Sequence, residues 1–316
     1  MAGDNIPPET LAADAEGIAA AAAVLRAGGL VAVPTETVYG LAARADSAAA
    51  VARIYRAKGR PDFNPLIVHV LGIDEGRVLA EFDERAGRLA ETFWPGPLTL
   101  VLPRRSDAAL AEAVTAGLPT VALRSPADWA MREVLRVAGL PLAAPSANSS
   151  GGVSPTRAAH VAASLGNKVD LILDGGDCSA GIESTIVALR DNGWQILRPG
   201  PVTEAQISDV LGAHSVAMTS FGGIEAPGQL ASHYSPGKPV RLGALTAGAD
   251  EFHIGFGAVA GDWNLSASSD LAEAASQLYA ALHRAAASDC SRVAIAPIPH
   301  DGIGAAINDR LGRAAA

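Results

Sequence analysis

The sequence predicts an α/β fold, a twisted mixed β-sheet flanked by helices and followed by a small second α/β domain. Three observations carry this reading. Apolar strand-like runs alternate with helix-period segments through the first 205 residues, the pattern of a sheet covered by helices. Some runs lie too close together for a crossover helix, such as 185–189 and 194–197 around Asp191-Asn192-Gly193, so hairpins are mixed with longer connections. A Gly/Pro-rich break then precedes a second, shorter alternation.

Residues 1–12 read as an N-terminal tail, without the basic-then-apolar pattern of a signal peptide. Residues 13–27 are alanine-rich and helical in pattern, ending at Gly28-Gly29. Leu30–Val33 is an apolar run closed by Pro34, which cannot donate to a sheet ladder. Thr35, Glu36, Thr37 and Tyr39 then put three hydroxyls and a carboxylate at the strand's exit. Asp46 or Ser47 caps a helix with Val51, Ile54 and Tyr55 at i, i+3, i+4. Gly59 and Pro61 stop it, leaving Lys58 and Arg60 in the loop behind. The strand Leu66–Val70 follows.

Next come a helix near 83–92, a strand at Leu98–Leu102 behind a Trp-Pro-Gly-Pro turn, and a helix near 107–116. The strand Thr120–Arg124, a helix over 128–138 and the short strand Pro141–Ala144 continue the alternation. Leu171–Leu173, Thr185–Leu189 and Trp194–Leu197 are further strands, and a helix capped by Thr203 runs to Leu211. Residues 13–205 thus read as one domain. Residues 206–239, broken by Gly222, Gly223, Pro227, Gly228, Pro236, Gly237 and Pro239, read as a linker. Strands at Val240–Leu242, Phe252–Phe256 and Arg292–Ile298, with an amphipathic helix over 270–287, make a second domain from 240 to 316, about 75 residues long.

At 316 residues, 49% hydrophobic and 18% charged, the chain has ample material for packed cores. No apolar stretch reaches the ~18 residues of a membrane span. Cys178 and Cys290 are too few for a disulfide framework and are not spaced as metal ligands, so a reducing cytoplasm is expected. The net charge of −9 argues against a broad nucleic-acid-binding face. Against that background Arg53, Arg56, Lys58 and Arg60, with no acid among them, suggest a small anionic ligand.

Nothing matches a phosphate loop of the G-x-x-x-x-G-K-[ST] type. Gly255-Phe256-Gly257-Ala258-Val259-Ala260-Gly261 has one residue too many for a dinucleotide fingerprint, and no helix pattern follows it. On residue type alone, Lys58 and Arg60 equally suit a solvated helix terminus. Pro145-Ser146-Ala147-Asn148-Ser149-Ser150-Gly151 is equally a plain turn. Arg124 equally suits a surface strand end, and His69 a structural strand position.

PTETVYGL, KGRP and PLIVHV, read with PSANSSG at 145–151, resemble the YrdC family over about 190 residues, and a weaker tail match runs to the C-terminus. The long form of that family is a threonylcarbamoyl-AMP synthase, a nucleotidyltransferase acting in tRNA modification. The resemblance implies a YrdC-like sheet, a small Rossmann-like C-terminal domain, and a reaction joining ATP, L-threonine and bicarbonate or carbon dioxide. It places Lys58, Arg60, Asn64, Thr120, Asn148, Thr156 and Arg198 on ATP, with Lys58 and Arg60 central to catalysis. Thr37, His69, Arg124, Ser146 and Ser184 are placed on threonine.

The linker segment Ala226-Pro-Gly…His233-Tyr234-Ser-Pro236 resembles a segment that lies over the nucleotide in long-form members, which adds His233 and Tyr234 to the ATP side. The basic residue usual between that glycine and histidine is absent, and Gln229-Leu230-Ala231-Ser232 stands there. Mg²⁺ is expected to enter with the ATP phosphates. A downstream threonylcarbamoyl-transferase complex is the expected partner, with tRNA contacted only indirectly. Two other readings stay open at this point: a double-stranded-RNA-binding module, and a carbamoyl-transferring relative of the kind found in hydrogenase maturation factors.

Overall fold

Alternation along the strands decides how the main sheet is covered. In Ile67–His69, Leu98–Pro103, Thr120–Arg124 and Thr185–Arg190, one set of side chains (Val68, Leu100, Leu123, Val187) enters a large core beneath a helical layer. The opposite set (Ile67, Val101, Ala122, Ile186) forms a smaller apolar patch that is covered by Ala226 instead. Over Val31–Val33, Gly40–Arg44 and Leu171–Asp174 that same face is covered by the helices Ala15–Arg26 and Trp129–Ala138, so only the half of it around Ile67, Val101, Ala122 and Ile186 is left to loops and linker.

The computed structural model describes residues 8–212, 225–229 and 232–316. The expected tail at 1–7 and the linker positions 213–224, including Gly222 and Gly223, and 230–231 lie outside the described residues. No described helix is long and apolar enough to cross a membrane.

From edge to edge the main sheet runs Glu9–Ala12, Leu171–Asp174, Val31–Val33, Gly40–Arg44, Leu142–Ala143, Ile67–His69, Thr120–Arg124, Leu98–Pro103, Thr185–Arg190 and Gly193–Arg198. It is mixed, as expected. Ile67–His69 pairs parallel with Thr120–Arg124, with His69 opposite Arg124, while Thr185–Arg190 and Gly193–Arg198 form the expected antiparallel hairpin.

Several elements differ from the sequence reading: the helix expected near 107–116 is only Glu112–Thr115, and the strand expected to reach Ile298 ends at Ile295. Glu9–Ala12 is not tail but an edge strand, parallel to Leu171–Asp174. Gly40–Arg44, unassigned in the sequence, is a central strand paired with Val31–Val33. The helix Glu204–Leu211 straddles the expected boundary at 205. It buries Ile207 in the main core, and Trp194 Nε1 donates to Gly212 O at 3.2 Å, so the first domain's packing extends to 212.

The second domain has a four-stranded parallel sheet in the order Val240–Leu242, Arg292–Ile295, Glu251–Gly255, Trp263–Asn264, packed by Leu271–Ala287 and Gly304–Ala314. Its Gly-rich loop turns back on its own strand. A Cβ at Gly255 would lie 2.2 Å from Val259 O, and one at Gly261 would lie 2.4 Å from His253 O. These glycines permit backbone contact, and a strand follows the loop, not a phosphate-facing helix.

The second core is completed by the first domain. Val38, Val153 and Ile182 are buried in the same cluster as Phe252, Leu278, Tyr279 and Ile307, and so is the linker residue Tyr234.

Candidate active site

The turn after Val31–Val33 is held by its own hydroxyls. Thr35 Oγ1 donates to Val38 O at 2.7 Å and accepts from the N–H groups of Thr37 and Val38, so the chain doubles back into Gly40–Arg44. This fixes Thr37 Oγ1 2.9 Å from Thr35 Oγ1, where Arg124 Nη1 donates to it at 2.8 Å. Arg124 ends its strand beside His69, and its Nη2 lies 2.7 Å from Glu36 Oε1. Burial raises the Glu36 carboxyl, but the Arg124 charge outweighs it and holds the group below its usual range. Burial, reinforced by Arg124, pushes His69 down to about 3, so it is neutral at physiological pH.

Across the cavity Ser184 Oγ lies 2.8 Å from Thr99 Oγ1. Arg198 grips the same residue, donating from Nε and Nη2 to Ser184 O at 3.1 and 2.9 Å and from Nη2 to its Oγ at 3.1 Å. Gly200 lets the chain pass under this point, since a Cβ there would fall 2.4 Å from Thr185 N. Arg198 Nη1 also donates to Pro227 O at 3.3 Å, which seats the linker.

A cavity of about 50 Å³ lies between these groups. Thr37, His69, Arg124, Ser146 and Ser184 all line it. Arg60, Arg198, His233 and Tyr234 line it as well, together with Thr35, Glu183, Pro227 and Gly228. Nine of the fourteen expected site residues therefore meet in one place, and the other five do not line the cavity.

Two of those five stand directly behind the lining. Lys58 is the last residue of the helix Ala48–Lys58, not a loop residue, and it is buried. Its Nζ donates to Ser146 O and Asn148 O at 2.5 Å each, clamping the Ser146 loop to the helix. Burial pushes its pKa well below the ordinary lysine value, with Arg60 adding to the effect. Asn148 continues the clamp, donating from Nδ2 to Ser149 O and Gly152 O.

Asn64 plays the same part for Arg60, accepting from its Nη2 at 2.6 Å through Oδ1. Thr156 is buried beside His160 Nδ1. Thr120 opens the strand that Arg124 closes and pairs with Pro103, away from the lining. Glu183, the residue before Ser184, lines the cavity too and is not among the expected site residues. Burial raises its carboxyl, but Arg310 and Arg198 outweigh that and hold it at about 2.

The family profile described as telomere recombination (Sua5/YciO/YrdC) matches residues 23–200. The chain belongs to this family. A second profile, described as the C-terminal domain of threonylcarbamoyl-AMP synthase, matches residues 202–316, so both parts of the long form are present.

Among curated relatives, threonylcarbamoyl-AMP synthase of Bacillus subtilis is 47% identical over 229 residues, covering 71% of this chain and 66% of that protein. The enzyme of the same name from Pyrococcus abyssi is 44% identical over 225 residues, covering 70% and 66%. These alignments thus span just under two thirds of either relative's length. The crystal structure of P. abyssi Sua5 complexed with L-threonine is similar at a TM-score of 0.87 and 35% identity, over 97% of each chain. A variant of that protein with a consecutive His and Tyr changed to alanine matches at a TM-score of 0.88 and 34% identity, over 98% of this chain and 96% of the other.

Proposed function

We propose that the chain is a threonylcarbamoyl-AMP synthase, forming threonylcarbamoyl-adenylate and pyrophosphate from L-threonine, bicarbonate or carbon dioxide, and ATP. The observation that carries this is the convergence of Thr37, His69, Arg124, Ser146 and Ser184 on one cavity whose remaining cations are Arg60 and Arg198. Arg124 offers a guanidinium to the amino-acid carboxylate, and the hydroxyls of Thr37, Ser146 and Ser184 surround the side chain. Arg60 and Arg198 serve the polyphosphate.

In the chemistry this implies, the threonine amine attacks carbon dioxide to give a carbamate. A carbamate oxygen then displaces pyrophosphate from the α-phosphorus. Neutral His69 supplies no charge to repel the incoming amine. Catalysis comes from alignment of three reactants and from neutralisation of the departing pyrophosphate by buried arginines.

The carboxylates in and behind the lining, Glu36 and Glu183, are each paired with an arginine. Mg²⁺ is therefore proposed to arrive on the ATP phosphates and water rather than in a protein cage.

A cavity of about 50 Å³ is far below the roughly 300–1,000 Å³ of ligand pockets. ATP entry thus requires Pro227–Gly228 and His233–Tyr234 to withdraw, and their return would shield the labile adenylate from water. The adenylate would then pass to a threonylcarbamoyl-transferase complex acting on tRNA. Pyrophosphate release measured with ATP, bicarbonate and each amino acid in turn tests the proposal. Threonine-dependent release is expected, and release indifferent to threonine would overturn it.

A further inference from the structure

Glu183 is a carboxylate of the first domain whose partners come mainly from the second. Its Oε1 accepts from Ser154 Oγ at 2.5 Å. Its Oε2 accepts from Tyr279 Oη at 2.7 Å and from Arg310 Nε at 2.8 Å, and both donors stand on helices of the C-terminal domain. Arg310 is wholly buried, with Nη1 also paired to Asp309 at 2.7 Å.

The chain leading to Glu183 is fixed by the same domain. Gly181 has φ +69°, and a Cβ there would lie 2.4 Å from Ser276 Cα, so this backbone rests directly on the helix Leu271–Ala287. Ile182 is buried in the second domain's core. Residues 181–183 are thus all held from outside the first domain, and the next residue, Ser184, carries the carbonyl and hydroxyl that Arg198 grips.

The linker is held by the same pair of residues. The Tyr234 ring stacks on Tyr279 with centroids 5.6 Å apart, and the Arg310 guanidinium lies 5.4 Å from the Tyr234 centroid.

We propose that Tyr279 and Arg310 are positioning residues of the catalytic site, acting through Glu183, so that the C-terminal domain is part of the active site and not an appendage. This rests on the synthase reading above. The physical reason is charge. Glu183 lines the cavity beside the path proposed for the ATP phosphates, where an uncompensated carboxylate would repel them. Arg310 neutralises it. With Arg310 gone, the Glu183 charge falls on its other cationic neighbour, Arg198, and draws that guanidinium away from the nucleotide.

The test uses the full chain and threonine-dependent pyrophosphate release. Arg310→Met is expected to raise KM for ATP at least tenfold while lowering kcat by less. The double variant Glu183→Gln with Arg310→Met is expected to recover most of that loss, because the orphaned charge is removed. A purely structural arginine would show no such rescue. Tyr279→Phe keeps the ring stack and removes one donor, and a two- to fivefold rise in KM for ATP is expected. That variant decides the matter should Arg310→Met fail to fold. A wild type without threonine-dependent release would overturn the synthase reading itself. An active wild type with unchanged KM for ATP in Tyr279→Phe and Arg310→Met, or an Arg310→Met defect that Glu183→Gln does not relieve, would overturn this inference alone.

Discussion

Arg124 and Glu36 form a nearly buried ion pair, with Nη2 2.7 Å from Oε1 and side chains only 5% and 12% exposed. The pair sets the orientation of the guanidinium, whose Nη1 meets Thr37 Oγ1 at 2.8 Å and whose Nε meets Gly96 O at 3.3 Å. Arg124 is thus held by three groups before any substrate arrives, so little further ordering is needed on binding.

The first expectation follows from that fixation. Arg124→Lys keeps the charge and the attraction to Glu36 but loses the planar fork. Hydrogen bonds to charged groups are worth about 1.5–3 kcal/mol each, so KM for threonine should rise roughly ten- to a hundredfold with the fold retained. Steady-state kinetics with threonine varied, beside a melting curve, checks this. An unchanged KM would remove Arg124 from the amino-acid site.

Selectivity among amino acids should follow the hydroxyls. Thr37, Ser146 and Ser184 line a small polar cavity, and such a site rejects an analogue lacking a hydroxyl far more strongly than one lacking a methyl. Serine should be the modestly poorer substrate and valine the much worse one. Equal turnover of valine and threonine would contradict the assignment.

Lys58 yields an expectation that its sequence position does not suggest. A lysine after a stopped helix reads as solvent-facing, whereas here its Nζ is the partner of two carbonyls in the Ser146 loop. Lys58→Ala leaves those groups without their donor, at about 1–3 kcal/mol for each unsatisfied buried group. Urea denaturation should therefore show a clear loss of stability along with the loss of activity. A variant with wild-type stability and weakened ATP binding would return Lys58 to a purely ligand-facing role.

Much of the fold was legible because its central strands carry β-branched runs. Val31–Val33, Ile67–His69 and Thr185–Arg190 were all placed from such runs. Gly40–Arg44 was not, because a strand of Gly, Leu, Ala, Ala and Arg buried on both faces shows neither alternation nor β-branching. Glu9–Ala12 escaped for the opposite reason, as a mostly exposed edge strand. At the site, the residues proposed to face threonine were legible through short motifs. Arg310 and Tyr279 were not, since their partner Glu183 lies 127 and 96 positions away and a buried helical arginine looks in sequence like an exposed one.

Acid should destabilise the protein across a definite window. Burial holds His69 and His160 at about 3 and His233 at about 4. An unfolded chain takes up those protons below about pH 6.5, so the unfolded state binds more protons between roughly 6.5 and 3. Stability therefore rises with pH through this window and is fully present above it. Glu183, held at about 2, adds a contribution present above its ordinary value of 4.5 and lost as pH falls through 2. Denaturation midpoints from pH 7 to 4 should fall steadily. His160→Phe keeps a ring near His283, now 3.8 Å away between centroids, but cannot take a proton, so it should flatten the slope. An unchanged slope would show that His160 does not contribute.

Gly228 offers the sharpest test of the segment over the cavity. Its φ is +89°, and a Cβ would lie 2.7 Å from Arg198 Cδ and 3.2 Å from the Tyr234 hydroxyl. Gly228→Ala is strained by its backbone and also collides with a cation proposed for the nucleotide, so it disfavours the closed arrangement specifically. Gly228 is buried in the segment over the cavity, and the penalty of about 1–2 kcal/mol for a left-handed alanine falls on that closed arrangement rather than on the helix–sheet packing of either domain. Melting temperature should then change little. KM for ATP should rise, and more adenylate should be lost to water for each threonylcarbamoyl group passed on. The ratio of pyrophosphate released to threonylcarbamoyl transferred measures that leak. A lower melting temperature with wild-type KM and ratio would mean that the segment only docks the second domain, and the shielding role would fall.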